Sequence, residues 1–137
     1  MKRIILHIVS VLCISVVNTH AQKLSDEQLN ASGAVKIYYV ENIENAELLA
    51  KTDIENKVPF IFIHGGIAPV HYTTDKSFME KYSVYYEDFG CVAPEYKFVN
   101  AYNRVVFKLL DEKFGKKWRS EIRKDVIGFK EYRKNSR

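Results

Sequence analysis

The sequence predicts a small α/β domain built on a three-stranded parallel sheet, in the order 1-2-3, with helices on both faces. Segments typical of strands alternate with segments typical of helices, which favours parallel strands joined by helical crossovers. The middle strand segment, residues 60–63, is Phe-Ile-Phe-Ile, and such an apolar run is typical of a strand covered on both sides. An antiparallel α+β sheet is the alternative, if residues 64–73 contain a strand reversal.

The strands are predicted from runs of β-branched and aromatic residues. Residues 35–40 (Val-Lys-Ile-Tyr-Tyr-Val) form the first strand, and residues 60–63 form the second. Residues 84–89 form the third. The charges of Glu87 and Asp88 near its end place this third strand at an edge of the sheet.

Two helices are predicted to connect the strands and to lie on one face of the sheet. Asn42 is placed to cap the first helix, which ends at Lys57. Thr74 or Asp75 caps the second helix, which ends at Tyr82. Both crossovers are expected to be right-handed, which places the two helices on the same face.

A pair of C-terminal helices is predicted to cover the other face. The first begins near Glu95, has apolar side chains at three- and four-residue steps, and is ended by Gly115. The second helix carries Trp118, Ile122, Val126 and Phe129 on one face. The residues after it, 130–137, are expected to fray.

Residues 1–21 are predicted to be a signal peptide that is removed on export. A short positive start precedes a mostly apolar run, residues 4–17, which is too short to span a bilayer comfortably. Thr19-His20-Ala21 then offers a cleavage site with small residues in the required places. We therefore expect the mature protein to begin at Gln22 and to act in the periplasm or outside the cell.

The mature chain of 116 residues suits one domain. Residues 22–33 are polar and predict a flexible lead-in, residues 34–130 form the domain, and residues 131–137 form a basic tail. No second stretch is apolar enough to cross a membrane.

Charge is unevenly distributed along the mature chain. Residues 22–112 have a net charge of −5, whereas residues 113–137 have a net charge of +7. Lys116, Arg119 and Arg123 are predicted to form a basic patch along one side of the second C-terminal helix. A solvated helix face is the simplest interpretation, and an acidic protein or an anionic surface is the alternative partner. Because the protein is expected to be exported, a nucleic acid is not the expected partner of this patch.

A ligand site is predicted at the carboxyl edge of the sheet, where ligands of open parallel sheets usually bind. The candidate ligand-binding residues there are Asn42, His64, Gly65, Gly66, His71 and Gly90. His64 and His71 do not have a recognisable metal-ligand spacing, so we predict neither a metal site nor a cofactor.

Cys91 is the single cysteine of the mature chain. We expect its side chain to be buried beside the end of the third strand, as small apolar residues are. A reactive thiol is one alternative, with His64 or His71 as the base and Asp88 as the group that orients it. Pairing with a cysteine of another molecule is the other.

Five stretches of the chain form a recognisable set of motifs: Gly65-Gly66-Ile67-Ala68-Pro69, residues 78–82, residues 85–91, residues 114–119 and residues 124–129. Together they resemble the motifs of the small bacterial FEKKY-domain proteins. Met79 and Glu80 stand where the naming pentapeptide has an acidic and then a basic residue. The resemblance covers roughly residues 35–130 and implies membership of that family, but no activity, cofactor or catalytic residue.

These observations predict an exported domain that binds a protein or a small ligand. The alternative is a cysteine-dependent enzyme or redox protein that uses Cys91.

Overall fold

The computed structural model describes residues 24–136, so the predicted signal peptide lies outside the described residues. Short 3-10 helices occupy Ile37–Tyr39 and Lys117–Ser120. The other elements, in chain order, are α1 (Asp26–Ala31), α2 (Gly33–Lys36), α3 (Ile43–Glu55), β1 (Phe60–Ile63), α4 (Asp75–Tyr82), β2 (Tyr85–Asp88), α5 (Tyr96–Phe114) and α6 (Phe129–Asn135).

The sheet consists of β1 and β2, which are parallel and in register from the pair Phe60–Tyr85 to the pair Ile63–Asp88. This confirms two of the three predicted strands and their shared direction, so the antiparallel alternative is wrong for this pair. All four residues of β1 are buried, whereas those of β2 are half-buried, as suits an edge strand.

The predicted first strand, residues 35–40, is wrong, because this segment is helical. Gly33, Ala34 and Ile37 are buried, while Tyr38 and Tyr39 are exposed. Buried residues three and four positions apart are typical of a helix with one face against the core. Packing of one face of the segment against the core therefore overrides the strand propensity of its β-branched and aromatic residues.

The second neighbour of β1 comes from the C-terminal part of the chain. Val126 forms an antiparallel bridge with Ile63. The His64 amide donates to the Asp125 carbonyl at 2.9 Å, and the Ile127 amide donates to the Phe62 carbonyl at 3.1 Å. This short segment occupies part of the edge that the prediction assigned to residues 35–40.

The helix α3 packs directly against α5, and this is the most extensive contact between two elements. Asn42 caps α3 as predicted, because its Oδ1 accepts from the Asn45 amide at 2.8 Å. Ala46 and Ala50 face α5 and bring the two helices close together. The predicted layering, with the sheet between these helices, is therefore wrong.

The helices α4 and α5 agree with prediction, and α5 ends at Gly115, whose φ is +64°. The predicted second C-terminal helix is wrong. Its first turn is the 3-10 helix that carries the buried Trp118, and residues 121–128 are not helical. A continuous helix through Val126 is incompatible with the bridge from Val126 to β1.

Both ends of the described chain contain helix where none was predicted. Part of the expected flexible lead-in is α1, which Ser25 and Gln28 cap reciprocally in a capping box. The segment expected to fray is α6 as far as Asn135. Among the helices of residues 24–136, none combines the length and the apolar character that a membrane crossing requires.

Candidate functional site

The parallel direction of β1 and β2 brings the loops that follow them to one edge of the sheet, as predicted. Gly65 lies against the backbone of Gly90, and a Cβ built on Gly65 would be 2.5 Å from the Gly90 carbonyl oxygen. No side chain fits at position 65 without moving this backbone. The two loops therefore form one surface, and Gly65 is what allows them to touch.

The three predicted catalytic candidates, His64, Asp88 and Cys91, lie at this edge, and within the described part of the chain their side chains make no hydrogen bonds to one another. Asp88 Oδ1 accepts from the Gly90 amide at 2.9 Å, so its carboxylate shapes the turn after β2. Cys91 is exposed, and the expectation that it is buried is wrong. Within residues 24–136 the Cys91 thiol makes no hydrogen bond to His64 or His71, both of which are exposed.

The edge of the sheet is acidic. Burial raises the pKa of Glu87, and the charge of Asp88 raises it further. Burial also raises the pKa of Tyr38, again with contributions from Glu87 and Asp88.

Arg123 holds the loop after β1 in place. Its guanidinium donates to Asp125 at 2.6 Å and 2.9 Å, and to Asp75 at 2.9 Å. It also donates to the Val70 carbonyl at 2.9 Å and lies over the ring of Tyr72. Arg123 therefore ties the loop to α4 and to the C-terminal segment, a role that sequence reasoning missed because Asp75 is 48 residues away.

The pKa of Asp125 reflects the same contacts. The hydrogen bonds from Arg123 lower it, burial opposes them, and the charge of His64 makes a small further contribution in the lowering direction. His64 therefore lies on the Arg123 side of the edge, where its backbone also pairs with Asp125.

The predicted basic patch is wrong for its two arginines. The Arg123 side chain is only 5% exposed, and the Arg119 side chain is 9% exposed and paired with Asp111. Burial tends to raise the pKa of Asp111, but hydrogen bonds from Arg119, Tyr132 and Trp118 keep it below its usual range. Lys116 Nζ donates to the Ser136 carbonyl at 3.2 Å. These cations hold the C-terminal part of the fold together.

Large apolar side chains are exposed on the two loops. We define the loop surface as Ile67, Val70, Tyr72 and Val92, of which Ile67 is 98% exposed and Val92 is 72% exposed. The ring of Tyr38 packs edge-on against Phe89, and its hydroxyl donates to the Val92 carbonyl at 2.9 Å. The loops are thus anchored to the core although their side chains point to solvent.

Of the remaining candidates, Asn42 lies at the start of α3, and Gly66 and His71 lie on the loop after β1. Asn42 is committed to its helix cap, and a Cβ on Gly66 would meet only the Ala68 carbonyl at 3.8 Å. His71 is exposed on the loop. No group of three or more His, Cys, Asp or Glu side chains within residues 24–136 is arranged to hold a metal ion.

Aromatic residues of the motifs at residues 78–82, 85–91 and 114–119 contact one another. Phe78 stacks near Tyr86 with ring centroids 5.3 Å apart, and Tyr82 contacts Phe114 edge-on at 5.0 Å. These contacts give the positions a role in packing. Comparisons of the chain with family models, with curated proteins and with solved structures find no match.

Proposed function

We propose that this protein is an exported binding module that contacts a partner protein through the loop surface. The exposure of Ile67 and Val92 carries the proposal, because apolar side chains grouped on neighbouring loops are typical of interaction sites. A rigid core presents them: Gly65 touches Gly90, and Arg123 ties down the first loop.

The charges beside the loop surface indicate the chemistry of the partner. The charges of Glu87 and Asp88 contribute to the raised pKa of Tyr38, after the larger effect of burial. The Tyr38 hydroxyl donates to the backbone carbonyl of Val92. A partner with an apolar patch flanked by basic groups complements this arrangement. Membership of the FEKKY-like family remains part of the proposal and rests on the motifs in the sequence.

Site-specific cross-linking in the producing cells tests the proposal. A photoreactive residue at Ile67 should give a discrete cross-linked product, and Val92→Asp in the same chain should abolish it. The control position is Leu48, which is 61% exposed but lies on α3. The same product from position 48, or no product from position 67, would contradict the proposal. The mature chain in these cells should have the mass expected for a start at Gln22.

A cysteine-dependent activity is the second candidate, and the exposure of Cys91 favours it. Thiol labelling separates the two functions. A catalytic Cys91 should react with a disulfide reagent at neutral pH at least tenfold faster than glutathione does, because the thiolate is the reacting species. A rate equal to that of glutathione, with Cys91→Ser as the blank, would leave only an ordinary exposed cysteine.

A further inference from the structure

The edge of the sheet that carries the loop surface has an acidic side and a basic side. In the described chain β1 has β2 on one side and the segment around Val126 on the other, since Ile63 pairs with Asp88 and with Val126. This segment is antiparallel to β1, and the His64 amide donates to the carbonyl of the residue after Lys124. Lys124 therefore lies beside the start of the loop after β1. Because neighbouring strands lie about 5 Å apart, β2 and this segment are separated by about 10 Å.

Two charged side chains at this edge are not paired within the described chain. Among residues 24–136, neither Glu87 nor Lys124 forms an ion pair or a side-chain hydrogen bond. Glu87 is half-buried at the end of β2, and Lys124 is exposed. In contrast, the neighbouring Arg123 is paired with both Asp75 and Asp125. One negative and one positive charge thus remain free on opposite sides of β1.

Such a surface is complementary to itself after half a turn. In a two-fold symmetric contact both copies use the same patch, so each pair of touching residues occurs twice. A two-fold axis through the loop surface places Glu87 of each copy opposite Lys124 of the other. The apolar side chains of the two loop surfaces then cover one another, with the charges around them, as in the apolar core and polar rim of many interfaces.

We propose that the partner of the loop surface is a second copy of this chain, bound in a symmetric dimer in which Glu87 of each copy pairs with Lys124 of the other. The inference rests on the proposed function, because it names the occupant of the same surface. Charge complementarity favours a second copy, since this chain already has the basic group that the acidic side needs. Burial raises the pKa of Glu87, and a lysine beside it in the dimer would favour the ionised carboxylate.

Analytical ultracentrifugation of the purified protein tests this inference, in a reducing buffer so that a Cys91 disulfide cannot contribute. A reversible monomer–dimer equilibrium is expected at protein concentrations below about 1 mM. Val92→Asp should weaken dimerisation by about tenfold or more, whereas Leu48→Asp, on the exposed side of α3, should leave it unchanged. A protein that stays monomeric, or a dimer that Val92→Asp leaves intact, would overturn the inference.

Charge reversal tests the pairing within the dimer. Glu87→Lys and Lys124→Glu should each weaken dimerisation, because each brings like charges together, and the double variant should restore it. Lys108→Glu, at an exposed position of α5, is the matched control. Lys124 is exposed, so Lys124→Glu should fold even if Glu87→Lys does not. An unchanged dimer in Lys124→Glu, or a folded double variant that dimerises no better than the single variants, would overturn the inference.

The mass of the product cross-linked from position 67 separates this inference from the proposed function. A product with twice the mass of the chain supports both. A product of any other mass keeps the proposed function and overturns the dimer, and the absence of a product contradicts both.

Discussion

The side chain of Asn103 pairs with both backbone groups of Phe62, as a neighbouring strand would. Asn103 is fully buried on α5. Its Oδ1 accepts from the Phe62 amide at 2.9 Å, and its Nδ2 donates to the carbonyls of Phe62 and Ile127, each at 2.9 Å. Two residues earlier in β1, the Phe60 amide donates to the Tyr102 hydroxyl at 3.2 Å. This edge of β1 is therefore closed by side chains of α5.

Asn103→Leu should destabilise the protein strongly. The change keeps a similar volume but leaves the Phe62 amide and the Ile127 carbonyl buried without this partner. At about 1–3 kcal/mol for each unsatisfied group, the free energy of unfolding should fall by about 2–6 kcal/mol. Urea unfolding measures this fall. Asn45→Leu, on the exposed surface of α3, should stay within about 0.5 kcal/mol of the wild type. A loss below about 1 kcal/mol for Asn103→Leu would show that the pairing contributes little.

The two adjacent glycines after β1 should respond differently to alanine. Gly65→Ala places a Cβ against the backbone of Gly90, so the loops must separate. An overpacking cost of about 1–3 kcal/mol is expected. Gly66→Ala is the matched control, since a Cβ there has only one neighbour, at 3.8 Å. Thermal unfolding of both variants should show a lower midpoint for Gly65→Ala alone. Equal midpoints would mean that the loops do not meet at Gly65.

Arg123→Gln should release the loop after β1. The change leaves the carboxylate of Asp75, whose side chain is 11% exposed, without its cation. Loss of one member of a buried ion pair costs about 3–5 kcal/mol. Hydrogen exchange of residues 66–73 should accelerate more than exchange in α5. The exposed Arg104 provides a control, and Arg104→Gln should change neither measurement. Unchanged exchange in the loop of Arg123→Gln would refute the tethering role.

The stability of the protein should carry a pH-dependent contribution from Asp53. Burial raises the pKa of this carboxyl, although Tyr102, Gly33 and Lys36 act in the opposite direction. The folded state therefore binds the proton more tightly than the unfolded chain, whose Asp53 has a pKa of about 3.9. This contribution is fully present below that value and is lost as the pH rises through the folded pKa.

The comparison with Asp53→Asn isolates this contribution. The free energy of unfolding of Asp53→Asn should rise relative to that of the wild type as the pH increases from about 3 to 8. Urea unfolding across this range provides the measurement. A difference that is constant with pH, or that falls, would show that the folded protein does not raise this pKa.

The elements that sequence reasoning predicted correctly have strong local signals. Asn42 caps α3, Gly115 ends α5, and the four apolar residues of β1 mark a buried strand. The placement of the two loops at one edge was also predicted correctly, because it depends only on the parallel direction of β1 and β2. In contrast, Cys91 was expected to be buried, and nothing near it in sequence reveals its exposure.

By itself, the sequence determined α3, α4, α5 and the two strands, since the periodicity and capping that form them act within a few residues. The tertiary structure decided what lies beside β1. Asn103 and the segment around Val126 occupy that edge, so residues 35–40 had no edge to pair with. The helical segment begins at Gly33, which lies beside Tyr102 of α5. The partners of Arg123 and the burial of Asp53 were decided in the same way. Pairing across dozens of residues depends on which buried groups still need a partner once the core has formed.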